Sequence, residues 1–373
     1  MKYLLFMCLF LSLYNLYAQD NTKGKVIIEN FLAPSIQGNH AGEDPMRRIT
    51  VYLPAGYQET NQRYPTIFFL HGFPDDDSSF MADFALKKLF DEAIFSGKMR
   101  PAIIVLPNSH THFEGSFYTN SALTGNWADF IAKDVVQYID KKFRTIPDRT
   151  SRGLTGLSMG GNGALKLGML YSTIFSTVYA LSPGGINWET YFSLTNPAFK
   201  EIEMEKNVED IIKRFNDLKT TKANYSRNQI FYAILFANLA RMYSPNEKKP
   251  PLNADLPVHY VGDSMTVNTN VLKKWEDNLP FYMIDTHIDA LKTLTALKLD
   301  WGRNDNLTWI PVTCLQFSKK LEAYGINHFA EEYQGGHSNR LGGRDGRIYN
   351  EVLPFFDTYL KFDEKASVTA KKN

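Results

Sequence analysis

Residues 156–160 read GLSMG, a single serine framed by glycines two positions away on either side. A serine hydroxyl is a weak nucleophile at neutral pH. It becomes reactive when a histidine takes its proton and a carboxylate orients that histidine. The G-x-S-x-G spacing permits a tight strand-to-helix turn that leaves the Ser158 hydroxyl exposed above a sheet. The same serine could simply cap the helix that follows, so the partners must be sought elsewhere. His337, in YQGGHS, follows a strand-like run, and the glycines before it would let its loop reach across to the serine. LDWGRNDN offers two carboxylates, Asp300 and Asp305. Asp305 is favoured, because beyond the Gly302 turn its side chain can swing back toward His337; Asp300 is the fallback. An acyl-transfer intermediate also carries an oxyanion, which needs preorganised donors. The backbone N–H of Met159 is one candidate. The backbone N–H of Phe73 in HGFP is the other, with Gly72 allowing close backbone approach.

These residues need elements that bring them together. RRITVYLPAGY (47–57) alternates polar and apolar residues up to a Pro/Gly turn and reads as a strand. YPTIFFLHG (64–72) and PAIIVLPN (101–108) are nearly continuous apolar runs, as in strands buried on both faces. RGLTGL (152–157) and FSTVYALSPGG (175–185) are read the same way. Between them, 77–97 has helical spacing, with Asp77 or Ser78 as N-cap and Gly97 as stop, and 126–143 is an amphipathic helix. Strands alternating with helices imply a mostly parallel sheet covered on both faces. Reactive groups in such folds gather at the carboxyl ends of strands. His71, Asn108, Ser158 and Ser182 all fall at such ends.

The pattern stops at Ile186 and returns near residue 293. The intervening 186–292 is rich in charge and in helical runs, and is expected to be a helical insertion, or lid, packed over the functional edge of the sheet. Beyond it come a strand at 293–299, a helix starting at Trp309, the strand that leads to His337, and a final helix at YNEVLPFFDTYL.

With 373 residues, 44% hydrophobic and 22% charged, the chain has ordinary globular composition. A net charge of +1 gives no electrostatic footprint for nucleic acid or for an anionic membrane. The opening MKYLLFMCLFLSLYNLYAQD has one basic residue, an apolar run too short to span a bilayer comfortably, and a small residue before Gln19. It reads as a signal peptide, 1–18, leaving a domain at 19–373 exported to the periplasm or beyond the cell. Cleavage would remove Cys8, leave Cys314 alone and exclude an intramolecular disulfide.

The stretches VYLPAGY, FFLHGFPDD, GLTGLSMGGNGAL, YALSPGG, LDWGRNDN and YQGGHS, in this order, resemble the putative esterase family of α/β-hydrolases, in its esterase D and feruloyl esterase branch. S-formylglutathione hydrolases and bacterial mycolyltransferases are similar. The resemblance implies an α/β-hydrolase fold and ester hydrolysis without metal or other cofactor. It also implies Ser158 as nucleophile, His337 as base and Asp305 as acid. The insertion departs from compact members of the family, which leaves the ester open. Export and an aromatic content of 14% suit a feruloyl or acetyl ester of a carbohydrate. Acyl transfer, siderophore-ester hydrolysis and a silent binding module are the alternatives.

Other residues fit structural roles better. The triplet Asp75–Asp77 is a solvated turn with a helix cap, because one turn cannot aim three carboxylates at one cation. His110 and His112 lack further ligands at zinc spacing. Tyr118 and Trp127 are candidates to border the substrate pocket, although Trp127 would equally open the core face of its helix.

Overall fold

The computed structural model describes residues 23–220 and 227–363. The leader read at 1–18, with Cys8, lies outside the described residues. Eight strands form the central sheet: β1 (Lys25–Leu32), β2 (Met46–Leu53), β3 (Thr66–Leu70), β4 (Ile103–Pro107), β5 (Arg152–Leu157), β6 (Thr177–Leu181), β7 (Ala296–Gly302) and β8 (Phe329–Tyr333). Their spatial order is β1-β2-β4-β3-β5-β6-β7-β8. The β1–β2 and β2–β4 pairs are antiparallel and the remaining pairs parallel.

Strands β3 to β6 are buried along their whole length, which is why their sequences are continuous apolar runs. Successive side chains point to opposite faces. Phe68, Leu70, Val105 and Leu154 therefore join one core, while Ile67, Phe69, Ile104 and Tyr179 join the other. The helix Met159–Leu170 and the helical stretch 127–142 cover the first face. Asp77–Asp83, Leu86–Phe95 and the terminal helix Leu353–Tyr359 cover the second.

The structure departs from the sequence reading in local detail. The helix expected over 77–97 is broken, because Ala85 has a φ of 48° and starts a second helix. Its cap is Asp76, whose side chain accepts the N–H groups of Ser78 and Ser79. Asp76 and Asp77 also grip Arg48, at 2.9 and 2.6 Å, so two of the three consecutive carboxylates tie the first helix to β2. The edge strand β1 has no counterpart in that reading.

The stretch 186–292 contains the helices Ala198–Met204, Val208–Thr220, Arg227–Tyr243 and Thr269–Glu276, and a hairpin of Val258–Val261 with Ser264–Val267. Its centre is Arg227–Tyr243, apolar on nearly every side. Phe236 stacks on Phe199 with ring centroids 4.3 Å apart and lies 5.5 Å from Phe192. No described helix is long and apolar enough to cross a membrane.

Candidate active site

Register aligns the strand ends that carry the candidate residues. Leu70 of β3 stands beside Gly156 of β5, and Leu181 of β6 beside both Leu157 and Asp300. The chain then turns sharply. Ser158 has φ 58° and ψ −115°, a region L-residues rarely occupy. Hydrogen bonds hold that strain: Ser158 N–H donates to Leu181 O at 2.9 Å, and its carbonyl accepts from Gly184 and Asn162.

The glycines of the motif are required by contact. A Cβ on Gly160 would lie 2.1 Å from Leu70 O, and one on Gly156 would lie 2.5 Å from the Gly160 carbonyl carbon. No side chain fits between β3, β5 and the helix start. A Cβ on Gly184 would approach Ser158 Oγ to 3.2 Å, so this glycine keeps the hydroxyl clear.

His337 and Asp305 meet across the loops after β7 and β8. His337 Nδ1 is 2.7 Å from Asp305 Oδ2, and the other carboxylate oxygen accepts Leu307 N–H at 2.8 Å. The Asp305 side chain is fully buried, while His337 remains partly open. An ionised carboxylate only accepts, so Nδ1 carries the proton and Nε2 keeps its lone pair. Asp300 is committed elsewhere. Its Oδ2 accepts Tyr179 O–H at 2.7 Å and pairs with the Arg347 guanidinium, inside the sheet.

Ser158 and His337 line one cavity of about 350 Å³. Its walls are aromatic: Phe73, Phe117, Phe192, Phe231 and Trp309. Phe192 lies 5.0 Å from Trp309 between ring centroids, and Phe231 lies 6.1 Å from Phe73. Asn228 and Asn306 supply a polar lip. The stretch 186–292 therefore lines the cavity directly, through Phe192, Asn228, Phe231 and Leu235. A larger groove, about 630 Å³, runs between Glu203 and Asn268 within the insertion and includes neither Ser158 nor His337. It is the larger of the two, but the candidate nucleophile and base line the smaller cavity.

Both predicted oxyanion donors belong to residues of this cavity. Phe73 lies past the end of the β3 ladder. Met159 is the first residue of its helix, where backbone N–H groups have no intrahelical acceptor and the dipole favours negative charge. His71 shapes the first of these turns. Its Nε2 accepts Ser109 N–H at 2.9 Å, so Nδ1 carries the proton and donates to Gly72 O at 2.9 Å. Burial pushes the His71 imidazole down to about 4, so it stays neutral.

Tyr118 and Trp127 do not border the cavity. Both are fully buried. Tyr118 O–H donates to His71 O at 2.9 Å and so props the end of β3 from below. Trp127 Nε1 donates to Thr124 O at 3.0 Å, and the Arg47 guanidinium stacks 4.8 Å from its ring. Each ring satisfies its polar atom within the body of the protein. Sequence reasoning missed the actual wall. The nearly all-round apolar run NQIFYAILFANLARMY was the available signal, since such a helix must be covered on several sides.

The sequence profile of the putative esterase family matches residues 43–341, and the chain belongs to that family. An endo-1,4-beta-xylanase/feruloyl esterase of Xylanibacter ruminicola is 30% identical over 121 residues, which is 31% of this chain and 16% of that protein. Esterase Rv1288 of Mycobacterium tuberculosis is 32% identical over 133 residues, 35% of this chain and 27% of that protein. The chain thus spans well under two thirds of these relatives. Among solved structures, a ferulic acid esterase superposes with a TM-score of 0.59 at 20% identity, covering 91% of this chain and 99% of that one. An S-formylglutathione hydrolase from Agrobacterium tumefaciens gives 0.56 at 13% identity, covering 91% and 97%. These likenesses establish the α/β-hydrolase fold.

Proposed function

We propose that this protein is a serine carboxylic-ester hydrolase that works through an acyl-enzyme. One observation carries the reading: the His337–Asp305 pair, at 2.7 Å, sits on the same cavity as the strained Ser158 turn. His337 Nε2 takes the Ser158 proton as Oγ attacks the ester carbonyl. The oxyanion is held by the N–H groups of Phe73 and Met159. The tetrahedral intermediate collapses, the C–O bond to the alcohol breaks, and His337 returns the proton to the leaving alkoxide. Water then gives its proton to His337 and attacks the acyl carbonyl, and the acid departs as Ser158 Oγ regains its proton. Asp305 holds the imidazole in the useful tautomer and stabilises its charged form. No step calls for a metal or other cofactor.

The aromatic walls and the neutral, polar lip favour an uncharged acyl group of some bulk. A feruloyl ester, or another acylated carbohydrate, is the substrate class we assign. The stretch 186–292 supplies one wall of the pocket through Phe192, Asn228, Phe231 and Leu235. The apolar run that follows Lys2 supports reading 1–18 as a signal peptide, and with it an activity exported from the cytoplasm. Hydrolysis of p-nitrophenyl acetate, p-nitrophenyl butyrate and methyl ferulate by the protein and by Ser158→Ala tests the assignment. Turnover by the parent and none by the variant is expected. Undiminished turnover by Ser158→Ala, or none by the parent on any ester, would overturn it.

A further inference from the structure

One buried amine takes no part in the reaction described above. Lys166 lies two turns into the helix that Ser158 begins, with 1% of its surface exposed. Among the described residues no carboxylate reaches it. Its Nζ donates to Phe117 O at 3.1 Å and to Thr119 Oγ1, and it lies 4.9 Å from the centre of the Tyr243 ring. Such a burial is costly for a group that exists to carry charge, and burial alone pushes the amine down to about 7.

What Lys166 holds explains why it is there. Phe117 and Tyr118 are consecutive bulky residues with φ of 46° and 49°, both in the left-handed region that disfavours side chains. The turn carries Phe117 into the cavity wall, 6.2 Å from Phe73, while Tyr118 drops beneath β3. The preceding part of this loop is held from the other side. Asn238, on the insertion helix Arg227–Tyr243, donates to Phe113 O at 2.5 Å and to Gly115 O at 2.6 Å. A Cβ on Gly115 would lie 2.5 Å from Met159 Sδ, so the loop is pressed against the residue after the nucleophile. Lys166 is thus the pin between the nucleophile helix and a strained turn, and Tyr243 roofs it from the insertion.

We infer that Lys166 is a positioning residue that fixes the Phe117 wall and thereby the size of acyl group the cavity accepts. This deepens the esterase reading and rests on it. A polar pin that donates two hydrogen bonds is needed because the groups it meets, a carbonyl and a hydroxyl oxygen, would otherwise be buried with fewer partners. An apolar side chain of the same length fills the space but releases the turn.

The test compares Lys166→Met, which keeps volume and loses donors, with Lys166→Gln, which keeps an amide donor, in the full chain. KM for methyl ferulate should rise about tenfold in the Met variant and less than about threefold for p-nitrophenyl acetate, whose acyl group is too small to press on the wall. The Gln variant should recover most of the difference, and Phe117→Ala should show the same selectivity loss as Met. Ferulate binding by calorimetry in a Ser158→Ala background should weaken about tenfold on adding Lys166→Met. That arm reads the wall without turnover, so a parent protein inactive on every ester would sink the esterase reading while binding still decides the role of Lys166. Equal changes for both esters, no recovery by Gln, or unaltered ferulate binding would overturn the inference. Should Lys166→Met fail to fold, the Gln and Phe117→Ala variants decide: parent-like selectivity in Phe117→Ala would overturn it.

Discussion

His337 Nδ1 and Asp305 Oδ2 stand 2.7 Å apart, and Leu307 N–H fixes the remaining oxygen of the same carboxylate. The Asp305 carboxylate is therefore held from both sides. Asp305→Asn should lower kcat by about 10³–10⁴-fold with little effect on KM, since the amide presents a donor where the imidazole needs an acceptor. Asp300→Asn should cost less than about tenfold in kcat and should instead lower the melting temperature, because Asp300 pairs with Arg347 within the sheet. Steady-state kinetics and thermal melts of the two variants separate the roles.

The glycines next to Ser158 should fail in different ways. Gly160→Ala forces a Cβ against Leu70 O at 2.1 Å, a backbone contact that cannot yield. It should destabilise the fold by several kcal/mol, on the order of 3. Gly184→Ala meets Ser158 Oγ at 3.2 Å. It should leave the melting temperature within a few degrees while lowering kcat about tenfold or more. Thermal unfolding beside single-turnover kinetics distinguishes damage to the turn from crowding of the hydroxyl.

Phe231 comes from the insertion and faces Phe73 at 6.1 Å between ring centroids. Phe231→Ala should raise KM for methyl ferulate by about tenfold and leave p-nitrophenyl acetate nearly unaffected, as expected for lost apolar contact of about 1–3 kcal/mol. Equal losses on both esters would show that the insertion supports the site rather than forming its wall.

How much of this was legible in the sequence depended on how local the cause was. Strands β3 to β6 were legible because burial on both faces writes itself as a continuous apolar run. The turn at Ser158 was legible because backbone contact at Gly156 and Gly160 permits one residue type. The preference for Asp305 over Asp300 rests on reach beyond Gly302, and the structure puts Asp305 at hydrogen-bond distance from His337 and Asp300 against Tyr179. The break at Ala85 was hidden, because helical periodicity continues through it and only φ reveals it. Tyr118 and Trp127 were misplaced since an aromatic ring in a loop has the same letter whether it lines a pocket or fills a core. The true wall combines Phe73, Phe117, Phe192, Phe231 and Trp309, drawn from distant parts of the chain, and their convergence is a property of packing alone.

The buried amine of Lys166 makes a prediction about stability and pH. Its pKa is about 7 in the folded protein against an ordinary value of 10.5. Between these values the unfolded chain binds a proton that the folded protein does not. Stability contributed through this group therefore rises with pH across roughly 7 to 10, by up to about 1.4 kcal/mol per pH unit. Denaturant unfolding of the parent and of Lys166→Met at pH 7 and pH 9 should show the parent gaining relative to the variant. A parallel pH dependence in both proteins would show that the amine stays charged when buried.

The most direct test of the central claim is covalent capture of the nucleophile. A fluorophosphonate ester reacts when an activated oxygen attacks phosphorus, fluoride leaves, and the neighbouring base takes the hydroxyl proton. Peptide mass analysis after labelling should place a single phosphonyl group on Ser158, with labelling abolished in Ser158→Ala and strongly slowed in His337→Ala. A label on another residue, or equal labelling of Ser158→Ala, would contradict the account.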